Sequence, residues 1–240
     1  EGRTICFFDC ERTEGRCQAF CPRMPADLDA LKNKFFPAES LTPEIGPFRG
    51  LYLTRATDPA IRGNAQHGGT MTALVELALK EGFIDSAVLT QSKGGLDAKG
   101  VLATTAEEIR ACSGSTFQIP PTLAVLNQAL KENRYHKIGV VGTPCKTLAV
   151  YKMKSKPLPE NDNNADNIGM VFGLFCGWGL EWNDIHNLTA KYANPEKVSH
   201  MDIPPSKYHS LVLREDGKDI SVDLDEVNPI VRQACHACTD

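Results

Sequence analysis

The sequence predicts an α/β protein: a mostly parallel sheet flanked by helices, with an antiparallel hairpin added late in the chain and a small cysteine-rich segment in front. Three observations carry this. Through the middle of the chain, short apolar runs alternate with helical repeats, the pattern of a parallel sheet covered on its faces. After Pro205 two strand-like runs, Ser210 to Arg214 and Lys218 to Leu224, flank Asp216-Gly217, a strong hairpin signal. Glu1 to Met24 is cysteine-rich and poor in aliphatic residues, so it cannot bury a core of its own and needs a cofactor for order.

Taken in order, Leu28, Leu31 and Phe35 recur at helical spacing and predict a short helix within Pro25 to Phe36. Pro37 to Pro47 holds three prolines and reads as a linker. Leu51 to Thr54 predicts a strand. A glycine turn at Gly68-Gly69 then opens a helix carrying Met71, Leu74, Val75, Leu77 and Ala78, closed near Gly82. Ala87 to Thr90 is a buried strand. Thr105-Ala106-Glu107-Glu108 starts another helix with capping-box character, and Thr122 to Leu130 is helical. Ile138 to Gly142 is a wholly apolar strand, Lys146 to Met153 the helix after it, and Ile168 to Leu174 a third buried strand. Ser155 to Asp166 is polar, with Asn and Asp clustered, and reads as an exposed loop. The domain division that follows is a cysteine-rich segment over 1–36, a linker over 37–49 and an α/β domain over 50–240.

A chain of 240 residues accommodates this plan, and 42% hydrophobic with 23% charged residues is ordinary for a soluble globular protein. A net charge of −4 gives no reason to expect nucleic acid or an anionic membrane surface as a partner. The longest apolar run, Ile168 to Leu174, is too short to span a bilayer. No secretory segment is visible, which with the cysteine spacing places the chain in a reducing compartment, the cytoplasm. The first residue is Glu1 rather than Met, and cysteines stand near both ends, so both termini read as cut and cluster ligands as potentially missing on either side.

The nine cysteines form two groups and a remainder. Cys6, Cys10, Cys17 and Cys21 crowd the start, with Pro22 after the last. Cys145, Cys176 and the C-x-x-C pair Cys235 and Cys238 make a second set, in which Cys145 and Cys176 sit just past the ends of expected buried strands, where open α/β sheets collect ligands. Cys112 is left over and reads as structural. Four thiolates suit an iron–sulfur cluster, and an odd count fits disulfides poorly. Cys17-Gln18-Ala19-Phe20-Cys21-Pro22 is like the end of a bacterial ferredoxin motif, although the usual C-x-x-C-x-x-C start is absent. Structural zinc would suit four cysteines as well. By itself Cys176 reads equally as a packed hydrophobe.

Glycine and hydroxyl residues cluster in three loops: Gln66-His67-Gly68-Gly69-Thr70, Ser113-Gly114-Ser115-Thr116 and Gly142-Thr143. At strand or helix ends such loops offer backbone N–H groups to a dinucleotide pyrophosphate, yet none matches the Rossmann or Walker pattern, and each is equally an ordinary turn. His67 is a candidate cofactor donor or acid, against the ordinary reading of a merely satisfied histidine, and Lys146 either pairs with phosphate or simply sits in solvent.

Together Ala65-Gln66-His67-Gly68-Gly69-Thr70-Met71-Thr72-Ala73-Leu74, Gly82-Phe83-Ile84-Asp85-Ser86-Ala87-Val88, Gly100-Val101-Leu102-Ala103-Thr104-Thr105, Ser113-Gly114-Ser115, Val141-Gly142-Thr143-Pro144-Cys145, Gly173-Leu174-Phe175-Cys176 and Cys235-His236-Ala237-Cys238-Thr239-Asp240 resemble the coenzyme F420 hydrogenase/dehydrogenase beta-subunit family, in order from about Gly50 to Asp240. The resemblance implies an oxidoreductase subunit with one FAD and a 4Fe-4S cluster close to it, ligated by Cys145, Cys176, Cys235 and Cys238. It implies FAD held by the Gly68-Gly69-Thr70 turn, by Ser113 to Thr116 and by Gly142-Thr143, a ferredoxin-like segment at Cys6 to Cys21 carrying one or more further clusters, and a continuation of the domain past Asp240. Electrons would pass between a hydride carrier of the deazaflavin F420 type and the clusters, with other redox subunits or ferredoxin as partners. A ferredoxin-driven reductase of another substrate keeps the same cofactors, and a zinc-stabilised binding module without redox chemistry is the rival of a different class.

Overall fold

In the middle of the chain short apolar runs become the strands of one main sheet, with helices between them. The computed structural model describes residues 14–36, 40–42, 44–156, 158, 163–204 and 209–238. The chain enters through a one-turn helix α1 (Arg16–Ala19) and α2 (Leu28–Phe35), where the Asp27 carboxylate accepts from the Ala30 N–H at 2.8 Å, a side-chain N-cap. A hairpin of β1 (Ser40–Thr42) and β2 (Gly46–Phe48) follows. Helices α3 (Pro59–Asn64) and α4 (Thr70–Lys80) lead to β3 (Ser86–Gly94), which folds back onto β4 (Asp97–Ala103). Next come α5 (Ala106–Arg110), α6 (Thr122–Glu132), β5 (Ile138–Gly142), α7 (Pro144–Ser155), β6 (Ile168–Gly173) and α8 (Trp182–Thr189). A three-stranded antiparallel sheet of β7 (Val198–Asp202), β8 (Ser210–Glu215) and β9 (Lys218–Asp223) precedes the short helices α9 (Leu224–Val227) and α10 (Gln233–His236).

The main sheet has the order β4-β3-β5-β6, with β3–β5 and β5–β6 parallel and β3–β4 antiparallel. This is the mostly parallel arrangement expected, and the hairpin addition is β8–β9, whose turn residues Asp216 and Gly217 both have positive φ, as a type I′ turn requires. Side chains alternate across the sheet. Val88, Ile138 and Val140 pack with Leu126 and Val150 on one face, while Ala87 and Leu89 pack with Val75, Ile84 and Ile109 on the other. Burial on both faces explains why β5 reads as a continuous apolar run. The run from Ile168, expected to be buried like it, is buried only at Ile168, because β6 is the edge strand and has a neighbour on one side only. A separate core under β7–β9 gathers Leu180, Ile185, Leu211, Leu213, Val222 and Val227. The capping box at Thr105 and Glu108 is present in full.

Departures from expectation are local. Leu51 to Thr54 forms no strand; it is exposed, and Leu53 is fully so. Strand propensity without an edge to pair with leaves only extended chain. The proline-rich stretch expected as a plain linker contains the β1–β2 hairpin. The polar segment after Ser155 is not wholly exposed, since Asn163 and Ala165 are buried and the Asn163 side chain donates to the Met153 carbonyl at 3.3 Å. Among the described residues no helix is long and apolar enough to cross a membrane.

Leu126 is fully buried between α6 and the sheet. Leu126→Ala is expected to lower stability by about 2–5 kcal/mol through lost transfer energy and the cavity left behind, read as a fall in the urea midpoint at unchanged slope.

Candidate functional site

The carboxyl ends of the parallel strands β3, β5 and β6 open into a cleft of about 610 Å³, within the range of small-molecule sites. Its position follows from topology, because every crossover in a parallel sheet leaves a loop at that edge. The three glycine- and hydroxyl-rich loops converge there. Gln66, His67, Gly68, Gly69 and Thr70 come from one side, Ser113, Gly114, Ser115 and Thr116 from another, and Gly142, Thr143 and Lys146 from the third. A hydrogen bond of 3.3 Å between the Thr72 and Ser113 hydroxyls, and one of 3.0 Å between those of Thr54 and Thr70, tie the walls together.

Two helices begin at this cleft. Gly69 is the N-cap of α4, with φ +73°, and a Cβ there would lie 3.0 Å from Ile61 Cγ2. Thr143 is the N-cap of α7, with Pro144 in its first turn. Helix starts leave N–H groups without intrahelical acceptors and carry the positive end of the helix dipole, so both favour an anion.

The polar lining is incompletely satisfied by the protein. The Gln66 side chain donates to the Asp202 carboxylate, while its Oε1 is buried without a hydrogen-bond partner; the Nε2 of Gln118 is in the same condition. A buried polar atom left unpaired costs about 1–3 kcal/mol, and both atoms belong to residues of the cleft wall. Lys146 donates to the Thr122 hydroxyl at 2.9 Å. Burial holds its ammonium below the usual lysine range, with the nearby Cys145 and Cys176 sulfurs acting in the opposite sense. His67 is exposed on the cleft wall, and Phe175, fully exposed, stands at the rim.

The second cysteine set is carried by the start of α7, the loop after β6 and the region of α10. Cys145 lies in the first turn of α7, 3.4 Å from the Thr143 hydroxyl. Cys176 lines the cleft and its thiol donates to the Trp178 carbonyl at 3.7 Å. Three residues on, the Gly179 N–H donates to Cys235 Sγ at 3.4 Å and the Gly179 carbonyl accepts from the Arg232 N–H at 3.0 Å. A bridge between Leu180 and Val231 continues the contact. Cys238 is one turn further, its N–H donating to the Cys235 carbonyl at 3.0 Å. None of the described cysteines forms a disulfide, and among the described residues no three Cys, His, Asp or Glu side chains close around a single metal-ion position.

Of the first cysteine set, Cys17 is exposed on α1 and Cys21 half-buried, while Cys6 and Cys10 lie outside the described residues. The segment is fastened to the core. Phe20 packs against the cluster around Val150 and Met153, and the Lys152 ammonium donates to the Cys21 carbonyl at 2.7 Å and the Met24 carbonyl at 3.1 Å. Phe35 and Phe36 both pack against Tyr151 of α7, tilted and edge-on respectively, with ring centroids 5.1 and 4.9 Å away. Sequence reasoning missed Gln118 and Asp202. Neither sits in a glycine loop, and what marks them, the Gln66 bond to Asp202 and the buried, unpaired Nε2 of Gln118, appears only when the chain folds.

Known proteins show the same architecture. A family model described as the N-terminal part of the coenzyme F420 hydrogenase/dehydrogenase beta subunit matches residues 51–127, and that for the C terminus of the same subunit matches residues 135–240. Coenzyme F420 hydrogenase subunit beta of Methanosarcina barkeri is 31% identical over 201 residues, covering 81% of this chain and 68% of that protein. The subunit of the same name from Methanococcus voltae is 29% identical over 199 residues, covering 82% of this chain and 69% of that protein. A chain of the F420-reducing NiFe hydrogenase complex from Methanosarcina barkeri superimposes with a TM-score of 0.71 at 28% identity, covering 80% of this chain and 67% of that chain.

Cys112, also on the cleft wall, gives a pH-dependent check. Burial pushes its thiol from an ordinary 9.0 up to about 11, and the Glu108 carboxylate adds to the rise. Because the thiolate is the nucleophile, alkylation of the Cys112 peptide should be slow near neutrality and rise about tenfold per pH unit toward 11. The sign for stability follows: a folded value above the unfolded one means the contribution is complete below pH 9.0 and is lost as pH rises through about 11. Mass spectrometry of the labelled peptide against pH reads the first effect.

Proposed function

The chain belongs to the coenzyme F420 hydrogenase/dehydrogenase beta-subunit family, a family of oxidoreductase subunits, and from that premise we propose that it passes electrons between a hydride carrier and iron–sulfur centres, with FAD in the cleft and a 4Fe-4S cluster beside it. One observation supports this most: three loops far apart in sequence meet around a cleft whose wall carries both Cys176 and Lys146, with the Cys145 and Cys176 sulfurs close enough to act on the Lys146 ammonium.

The residues fit such a group. In this reading the starts of α4 and α7, through Gly69, Thr70 and Thr143, hold the pyrophosphate. The Ser113 to Thr116 hydroxyls serve the rest of the dinucleotide. The unpartnered amide atoms of Gln66 and Gln118 supply an acceptor and a donor to the edge of a ring system. FAD, when bound, would contribute the ability to take two electrons together and release them singly. Lys146 contributes positive charge, and His67 is placed to exchange a proton with a carrier in the cleft. Cys145, Cys176, Cys235 and Cys238 are the proposed ligands of the neighbouring cluster. A cubane spreads its thiolates more widely than one ion does, and the N–H···S contact at Cys235 is the kind of outer-shell donor that tunes such a centre. Cys6, Cys10, Cys17 and Cys21 are the proposed ligands of an amino-terminal centre, where the exposed Cys17 faces a second redox subunit or ferredoxin. In this reading the thiolates would be kept reduced, as a cytoplasmic location would keep them.

Anaerobic purification should return a yellow-brown protein with roughly one FAD per chain and iron matched by sulfide. Cys235→Ser should lose most of the iron while keeping flavin. Reduced deazaflavin added to the oxidised protein should bleach the flavin band. No bleaching in a loaded protein favours a ferredoxin-driven reaction, and a colourless protein holding only zinc rejects the proposal. In a separate check, Gly69→Val forces a branched side chain into a left-handed position at about 1–2 kcal/mol or more, so FAD affinity should fall about tenfold or more with the far-ultraviolet dichroism retained.

A further inference from the structure

Arg23 makes contacts that neither the cleft nor the second cysteine set accounts for. Its backbone N–H donates to Cys21 Sγ at 3.4 Å. Its guanidinium reaches across 214 positions of sequence to donate to the Ala237 carbonyl at 3.0 Å, and also to the Ala234 carbonyl. Ala234 and Ala237 are the residues immediately before Cys235 and Cys238. One residue therefore touches the sulfur of an amino-terminal cysteine and the peptide groups that carry both cysteines of the terminal pair. A planar fork of donors suits two nearby carbonyls in a way that a single ammonium does not.

The segment holding Arg23 is fixed from below. Lys152, only 7% exposed, donates to the Cys21 and Met24 carbonyls on either side of Arg23. Burying a cation to hold two carbonyls of a surface turn is costly in desolvation. Such an outlay is out of proportion for a turn whose position does not matter.

We propose that Arg23 is the positioning residue that holds the amino-terminal thiols and the terminal C-x-x-C at a fixed separation, so that the two cysteine sets lie on one electron path. The proposal rests on the reading of both sets as iron–sulfur ligands. Arg23 touches neither reacting atoms nor substrate. It acts by restraining the backbone of Cys235 and Cys238 and by placing one positive charge between the two sets.

The test compares wild type, Arg23→Leu and Arg23→Lys as full-length, anaerobically loaded protein. Iron, sulfide and flavin content come first: wild type without iron and sulfide rejects the cluster assignment, while the exchange measurement still tests the Arg23 contact. In Arg23→Leu, amide hydrogen exchange over residues 233–238 is expected to speed up about tenfold, through local opening rather than global unfolding. Loss of the charge should disfavour the reduced cluster by about tenfold, a fall near 59 mV for a one-electron couple, and the magnetic interaction between reduced centres should weaken in the electron paramagnetic resonance spectrum. Arg23→Lys keeps the charge and loses the fork, so it should hold the potential near wild type while still showing faster exchange. A purely structural staple would change exchange and leave the potential of Arg23→Leu with that of wild type, which overturns the electrostatic role; unchanged exchange in both variants overturns the positioning role. Should Arg23→Leu fail to fold, the exchange rate and spin interaction of Arg23→Lys decide the matter alone.

Discussion

The pairing of β5 between β3 and β6 is the constraint on which the rest depends. Ile138 and Val140 are fully buried, and β5 is parallel to both neighbours. Parallel pairing denies β5 a tight turn to either neighbour, so the chain reaches and leaves it through helices, and α7 starts at its carboxyl end. The loops carrying Thr143 and Leu174 meet there because Gly142 and Gly173 are register partners, and the Leu174 N–H donates to the Gly142 carbonyl at 2.9 Å. A cleft at that edge follows from strand order alone; its chemistry comes from the residues placed in the loops.

Charge is distributed to match. The chain is net acidic at −4, yet cations and N–H donors stand close to its cysteines: the Lys146 ammonium near Cys145 and Cys176, the Arg23 N–H on Cys21 Sγ, the Lys152 ammonium on the Cys21 carbonyl, and the Gly179 N–H on Cys235 Sγ. A thiolate-rich centre accumulates negative charge in a poorly solvated place, and compensation from fixed donors costs no reorganisation when the charge changes. The same groups would be wasteful around inert buried thiols, which are satisfied as small hydrophobes. Cys112 shows that contrast within one molecule, since burial and the Glu108 carboxylate raise its thiol instead.

What the sequence made legible was whatever local pattern decides. The apolar run at Ile138 is buried on both faces and so is marked in nearly every residue, whereas the run at Ile168 is as apolar but lies at the sheet edge, buried only at Ile168. The capping box at Thr105 and the Asp216-Gly217 turn are short-range chemistry and were readable to the residue. β4 was missed because Asp-Ala-Lys-Gly has little strand propensity of its own and becomes a strand by pairing with β3, although Gly94-Gly95 marks the turn before it. Leu51 to Thr54 failed in the opposite way, with propensity but no partner. The three loops were legible as separate turns, and only topology shows that they share a cleft. Arg23 carried no signal at all: in sequence it is one more charged residue, and its acceptors lie at the far end of the chain.

The closure at Gly179 carries the argument one step further. Cys176 and Cys235 are brought near each other by a short ladder, Gly179 to Arg232, Leu180 to Val231 and Gly179 to Cys235 Sγ, at the head of the second core under β7–β9. Everything between them, from α8 through α9, is a loop tied at that point. A centre bridging the two cysteines would cross-link that loop, so its binding energy would stabilise the antiparallel sheet as well as the cleft. In the proposed reading, metal loading would be coupled to folding of the carboxyl-terminal half, because the ladder and the centre would close the same loop.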